Sequence, residues 1–350
     1  MPMLREIGGR SIGSEHPVFV IAEIGLNHSG SLERALAMVD AAAWAGASAV
    51  KLQTLEAESL VSAACPAPAH ARASSLRDFF SAFELDYEAH RTIVRRARDR
   101  NLAVMSTPFS IELVAMLHDL GIDAFKIASG DVTFDGLIGA VAETSRPLVM
   151  STGMSSLLEV GRAIDIARRH GARDLAALHC VSAYPTPAAS QNLRAITTLE
   201  RYLRIPVGLS DHSAEAQAAI PAVALGACIY ERHLVLEEDQ DAIDRPVSST
   251  PAELKRLVDT LETTRLALGD GRKVCQPAEK ANVMASRRGL YATRALKAGT
   301  RLSEDDLVAL RPATSLTPAA CGTLIGSVLS RDVAAGAPFT ATDIALERAS

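Results

Sequence analysis

The 350-residue sequence has no excess of positive charge. Its 36 Lys and Arg against 41 Asp and Glu leave a formal net charge of −5, with the two signs interspersed and no basic stripe. That excludes the usual electrostatic footprint of a nucleic-acid-binding protein. No C-x-x-C pair occurs, and the five cysteines (Cys65, Cys180, Cys228, Cys275 and Cys321) are odd in number and widely spread. They read as reduced thiols of a cytoplasmic protein rather than as a disulfide framework. No window reaches the roughly 18 apolar residues of a membrane span. The longest apolar stretch, Ala218 to Tyr230, is shorter, contains Pro221, and reads as a helix running into a strand. The opening residues MPMLREIGGR lack the apolar core of a signal peptide.

With 48% apolar and 22% charged residues the chain can build a sizeable core. Eight short apolar runs each stop at a polar cluster: FVIAEIG before Asn27 and His28, AVKLQT, AVMSTPFS, AFKIASGD, PLVMSTGM, LAALHC before SAYPTP, PVGLSDH and ACIYERH. Buried parallel strands read as continuous apolar runs because helices cover both faces of the sheet. Eight in series, most followed by a helix-period stretch, predict an α/β fold of the (β/α)8 TIM-barrel kind, with its chemistry at the carboxyl ends of the strands. The barrel is expected over residues 1–270, a polar linker over 271–285 and a small β-rich domain over 286–350. Ser31 is the expected N-cap of a helix to Ala45, and Thr250 of one over Pro251–Leu268 that stops at Gly269. Between Gln53 and Ala103 a long excursion is expected at the active-site mouth, with a loop at Pro66, Pro68, Ala69 and His70 and a short helix at SLRDFFSAFE. In the tail, KAGTRLSEDDL and AAGAPFTATDI read as one motif used twice.

His212 and His233 end the last two runs. Either alone reads as a hydrogen-bonding residue, but neighbouring strand ends put both on one rim, where they can share a divalent metal with oxygen ligands completing the shell. No cysteine joins them, which points to a labile ion such as manganese or magnesium rather than structural zinc. Lys51 and Lys126 near strand ends can neutralise phosphate, form a Schiff base or sit in a structural ion pair. With Thr107, Ser129 and Ser151 and the amides of Gly130 and Gly153 they make a candidate phosphate cradle. Rim carboxylates are Glu23, Asp131, Asp211 and Glu231, with Asp244 in the loop after the last strand. Glu23 lies within an apolar strand, so it needs a partner or a catalytic role. Asp131 can instead cap the helix after it. His28, His179, Gln53 and Tyr184 can hydrogen-bond a polyol or simply pack.

Taken together, AEIGLNHSGS, GASAVKLQT, STPFS, KIASGD, LVMSTGM, YPTP, VGLSDHS and ERH resemble the N-acetylneuraminate (sialic acid) synthase family. RRGLYATRALKAG and ALRPA resemble its C-terminal SAF, or antifreeze-like, domain. The resemblance spans about residues 17 to 345. It implies condensation of phosphoenolpyruvate with an open-chain N-acylated amino-hexose, N-acetylmannosamine first, to give a nine-carbon 2-keto acid and phosphate. It places metal ligands at His212 and His233, with manganese first and magnesium or cobalt as alternatives. Phosphoenolpyruvate contacts fall at Lys51, Thr107, Lys126, Ser129 and Ser151, and sugar contacts at Gln53, Tyr184, Ser210 and Asp244. It also implies a domain-swapped homodimer in which Arg311 reaches the sugar's acyl group in the partner chain. With the aldehyde oxygen polarised, C3 of phosphoenolpyruvate attacks the sugar C1, water takes the cation at C2 and phosphate leaves, with Glu23 and Asp131 stabilising charge or moving protons.

Three departures from the family pattern fall on the sugar side: Asp131 stands for a glutamate, Ala242-Ile243-Asp244 for Gly-Pro-Asp, and Arg311-Pro312-Ala313 for Arg-Pro-Gly. Related sugars leading to legionaminic, pseudaminic or 9-phosphorylated acids are alternative substrates. A Schiff-base aldolase and a non-catalytic sugar-binding protein are the rival readings.

Overall fold

The computed structural model describes residues 4–66 and 73–345, so Pro68, Ala69 and His70 of the expected loop lie outside the described residues. The chain divides into two compact units, Met1–Gly269 and Asp270–Ser350.

The first unit opens with a hairpin of β1 (Glu6–Ile7) and β2 (Arg10–Ser11). The eight apolar runs then form β3 (Phe19–Gly25), β4 (Ala49–Thr54), β5 (Ala103–Pro108), β6 (Ala124–Ile127), β7 (Leu148–Ser151), β8 (Leu175–Cys180), β9 (Val207–Asp211) and β10 (Ile229–Leu234). All pair in parallel with their sequence neighbours, and β10 bonds to both β9 and β3, which closes the barrel. A two-residue β11 (Ser248–Ser249) adds to β10. The packing is tight enough that a Cβ on Gly208 would lie 2.3 Å from the Ile229 carbonyl oxygen.

Helices α1 (Leu32–Ala45), α2 (Ala57–Leu60), α3 (Leu76–Ser81), α4 (Tyr87–Asp99), α5 (Ile111–Asp119), α6 (Asp135–Glu143), α7 (Leu157–Arg169), α8 (Ala195–Leu203), α9 (Ala219–Ala224) and α10 (Pro251–Leu268) follow in chain order. Ser31 caps α1, its side chain accepting from the Arg34 amide. At α10 the Glu253 carboxylate accepts from the Thr250 amide, which restrains the first turn.

Two features differ from the sequence reading. The excursion after β4 contains α4, one of the barrel's regular outer helices, so the true insertion is only the stretch from Leu55 to Asp86. The amino-terminal hairpin is also structural. Its Leu4, Ile7 and Ile12 join Phe19, Ile21 and Met105 in one buried cluster, and a Cβ on Gly8 would come within 2.7 Å of the Ala103 side chain at the start of β5. The hairpin therefore plugs the barrel's amino end, opposite the carboxyl rim. Among the described residues, no helix is long and apolar enough to cross a membrane.

The second unit begins at Asp270 and takes in the expected linker, where α11 (Lys280–Ser286) forms and the Met284 carbonyl accepts from the Ala313 amide. Antiparallel β12 (Gly289–Ala292) and β13 (Leu307–Leu310) precede a short α12 (Cys321–Leu324). The doubled motif is a real internal repeat, offset by 37 residues. Gly299 and Gly336 both take positive φ, and Asp306 and Asp343 are buried and accept from the amides of Ser303 and Thr340. Each of these aspartates is also met by an arginine, Arg294 or Arg331, and the two copies pair through Leu296 and Val333.

Candidate active site

Side chains along a barrel strand alternate between the interior and the surrounding helices. At the amino end the interior positions are apolar. Nearer the carboxyl ends they become Glu23, Lys51, Gln53, Thr107, Lys126, Ser151, Cys180, Ser210, Glu231 and His233, which all line one cavity of about 410 Å³. Strand register sets their neighbours: His233 lies beside Glu23, Glu23 beside Lys51, and Glu231 beside Ser210. Ser129, Tyr184 and His212 join from the loops just beyond the strands. Gly25 permits the close approach at the β3 end. Its φ is 53°, and a Cβ there would sit 3.2 Å from the His233 ring and 3.3 Å from Glu23 Oε1.

The floor is a buried charge network. Lys51 Nζ lies 2.8 Å from Glu23 Oε2 and 3.6 Å from Glu231 Oε2, and donates to Thr107 Oγ1 at 3.3 Å. Lys126 Nζ donates to Ser151 Oγ at 2.6 Å and stands 4.0 Å from Glu231 Oε1. Ser210 donates to Glu231 at 2.8 Å, and Gln53 donates to Glu23 at 2.9 Å. Glu23 thus has the partner its burial demands.

The two lysines are unequal. Burial pulls Lys51 down, but Glu23 and Glu231 outweigh it and hold the ammonium above the ordinary lysine range. Burial, helped by repulsion from Lys51, keeps Lys126 below that range, because Glu231 at 4.0 Å and the farther Glu23 do not offset it. Burial also raises Glu231, yet Lys126 and Lys51 together bring it down to about 2. Glu231 therefore stays ionised as the counter-ion that both lysines share. The sequence places it two residues before His233, hence on the same face, but its strand-end position alone did not assign it to this network.

Ser129 Oγ accepts from the Gly153 amide at 3.0 Å, and a Cβ on Gly153 would fall 2.4 Å from Ser182 Oγ. The loop after β7 is drawn so close that only glycine fits, and small hydroxyls surround it.

His212 and His233 have ring centroids 5.5 Å apart, and the Tyr184 ring stacks on His212 at 4.2 Å. His212 Nδ1 is 3.1 Å from the Val181 carbonyl oxygen. Donation there leaves the lone pair on Nε2, the tautomer a metal ligand needs. His233 Nδ1 is buried with no hydrogen-bond partner, 3.4 Å from Asp244 Oδ2. Among the described residues no three His, Cys, Asp or Glu side chains are placed to hold one metal ion together. The donor set fits an ion held by two imidazoles with its remaining positions open to oxygen.

Not every candidate reaches the cavity. Asp211, next to Ser210 in an alternating strand, faces away and accepts from Tyr230 Oη and the Ser213 amide. His28 accepts from the Gly30 amide, and His179 Nε2 lies 2.7 Å from the Gln191 carbonyl oxygen. His28 braces its own loop, and His179, on β8, braces the segment at Gln191 that follows the strand. Asp244 does not line the cavity but stands behind His233, its amide bonded to Asn27 Oδ1. Arg311 is exposed in the second unit.

Asp131 also lies outside the cavity wall, in the helical turn Ser129–Asp131, and caps nothing. The next helix starts at Asp135, and Asp131 Oδ2 is buried without a partner. Burial pushes its carboxyl from 3.8 up to about 6, against the pull of Lys126. A folded-state value above the unfolded one favours folding below about pH 4, and that contribution is lost as pH rises through about 6. Asp131→Asn is therefore expected to gain stability at pH 7, on the order of 1 kcal/mol after solvent screening, and none at pH 4. Urea titrations at the two pH values check this, and equal destabilisation at both would contradict it.

Residues 38–273 match the NeuB family and residues 287–345 the SAF domain. The chain is 34% identical over 342 residues to the N,N'-diacetyllegionaminic acid synthase of Legionella pneumophila, covering 95% of this chain and 96% of that protein. It is 32% identical to a pseudaminic acid synthase of Campylobacter jejuni, over 95% of this chain and 98% of that one. Among solved structures, the N-acetylneuraminic acid (sialic acid) synthetase of Leptospira borgpetersenii superposes with a TM-score of 0.72 at 33% identity, covering 79% of this chain and 94% of that chain. With the family model matching residues 38–273, the SAF model residues 287–345, and a 34% identical relative along 95% of its length, the chain belongs to the NeuB family and carries a SAF domain after the barrel.

Proposed function

We propose that this chain condenses phosphoenolpyruvate with an open-chain N-acylated amino-hexose and water to give a nonulosonic acid and phosphate. The observation that carries the reading is the pair of buried lysines, each bonded to a strand-end hydroxyl, in the same cavity as two facing histidines. Lys126, Ser151, Ser129 and Thr107 offer donors for the phosphate and Lys51 for the carboxylate, while Gln53, Ser210 and Tyr184 remain for the sugar. A divalent ion, manganese first with magnesium or cobalt as alternatives, held by His212 and His233 would add the positive charge that Lys51 and Lys126, balanced by Glu23 and Glu231, lack, and would polarise the aldehyde oxygen. Glu23, fixed by Lys51 and Gln53, is the group placed to orient water and move its proton. Asp131, outside the wall, is given no proton-transfer step.

The described lining holds no arginine. The reading accordingly takes the chain as a domain-swapped homodimer in which Arg311 of one chain meets the sugar in the other, with Asp244 positioning His233. Phosphate release from phosphoenolpyruvate with a panel of N-acylated amino-hexoses, with EDTA or added manganese, tests it. Release only with a sugar and a metal is expected, and no release under any combination sinks the reading. Lys126, held below the ordinary lysine range, is the residue a Schiff-base aldolase would use. Borohydride with pyruvate would trap a covalent adduct in that case and none in ours.

A further inference from the structure

The two facing imidazoles are held by different means. His233 lies inside β10, beside Glu23 of β3 and Ser248 of β11, so strand pairing fixes its backbone on both sides. His212 stands one residue beyond the end of β9, where the last rung of the ladder pairs Asp211 with Arg232. Its backbone must be held by something other than the sheet.

Arg232 does this from the outer face of the barrel. Alternation along β10 turns Glu231 and His233 into the cavity and leaves Arg232 facing the helices. Arg232 is 1% exposed. Its guanidinium donates through Nη1 to the Asp211 carbonyl at 3.3 Å and to the Ser213 carbonyl, and through Nη2 to the Ala214 carbonyl at 3.0 Å. Those carbonyls lie on both sides of His212. Nε donates to Ser249 Oγ at 3.1 Å, which fixes the plane of the fork. The Asp211 carboxylate closes the turn by accepting from the Ser213 amide and from Tyr230 Oη, and it stands 3.9 Å from Arg232 Nη1.

A fully buried guanidinium is costly to desolvate, and one carboxylate at 3.9 Å offsets only part of that cost. Its hydrogen bonds go chiefly to main-chain oxygens of the turn that carries His212. We propose that Arg232 is the positioning residue of His212: it holds the turn so that Nε2 faces the metal, and touches neither ion nor substrate itself. The inference rests on the metal-dependent condensation proposed above. A lysine cannot stand in, because one ammonium does not span the carbonyls and the hydroxyl that a planar fork reaches together. Arg232, Ala214 and Ser249 also line a second cavity of about 600 Å³ outside the barrel, through which a small solute can reach the place of the fork.

The test measures manganese binding by titration calorimetry on the full-length chain, independently of turnover. Arg232→Lys is expected to bind manganese 10- to 100-fold more weakly, while phosphoenolpyruvate binding without metal stays within about twofold. Arg232→Ala is expected to show the same loss, and millimolar guanidinium, entering by the outer cavity, to return its affinity to within about threefold of the unaltered chain. Arg232→Lys, whose ammonium fills that place, should not be rescued. Unchanged manganese affinity in Arg232→Lys, even with a lower urea midpoint, would make Arg232 a support of the fold alone and overturn the proposal. A folded Arg232→Ala that guanidinium leaves unrescued, or an equal loss of phosphoenolpyruvate binding, would also overturn it. If Arg232→Ala does not fold, Arg232→Lys decides the matter. Each of these results leaves the condensation reading standing, whereas an unaltered chain that binds no manganese would sink the metal site and this proposal together.

Discussion

Lys51→Met is expected to abolish phosphate release and to destabilise the first unit by about 3–5 kcal/mol, because it strands two buried carboxylates. Lys51 touches Glu23, Glu231 and Thr107 at once, and its side chain is 4% exposed. With the ammonium gone, Glu23 and Glu231 remain in a low-dielectric floor facing only Lys126, and one of them must take up a proton or the floor must open to water. Urea denaturation reads the loss of stability and a phosphate assay the loss of turnover. The double variant Lys51→Met/Glu231→Gln separates the two effects. It removes one charge of each sign, so most of the stability should return while turnover stays absent. Full recovery of activity in the double variant would remove Lys51 from the substrate site. Lasting instability would mean that the network is not balanced as its distances imply.

His233→Ala is expected to weaken manganese binding by at least about 100-fold and to reduce phosphate release to background, since a two-imidazole site cannot spare one ligand. Titration calorimetry measures the metal without reference to turnover. Asp244→Ala should give an intermediate result, a 10- to 100-fold loss of metal affinity, as removal of an orienting carboxylate behind a ligand does. Unchanged manganese affinity in His233→Ala would move the ion elsewhere, and an Asp244→Ala effect as large as that of His233→Ala would make the aspartate itself a ligand.

The barrel was legible because each of its strands is a short apolar run ended by polar residues, and Glu23, the lysines and the paired histidines stand at those ends. What was missed has physical causes. Two-residue strands such as Glu6–Ile7 carry no periodicity, so the plugging hairpin left no pattern. Helix α4 reads as polar because its buried face is only Ala89, His90, Ile93, Val94 and Ala97 between arginines. Asp211 ends its apolar run as the rim carboxylates do, but strict alternation from Ser210 turns it outward onto Tyr230. Asp131 sits at the right place in the sequence but on a helical turn that leaves its short side chain outside the wall. The apolar part of the cavity lining comes from residues distant in sequence, Leu60, Val61, Phe80, Phe109 and Met154, which no local motif connects.

The strand that closes the barrel also completes its chemistry. Glu23 stands on β3, the first barrel strand made, and Glu231 and His233 on β10, the last; Asn27 fastens the two by donating to the Leu234 carbonyl 207 residues away. A growing chain therefore lacks the counter-ion that both lysines share, and its second imidazole, until β10 has emerged and zipped onto β3. Any fluctuation that parts this one seam would silence the enzyme while the other strand pairs and most of the core remain folded, so loss of activity on heating should run ahead of loss of helix.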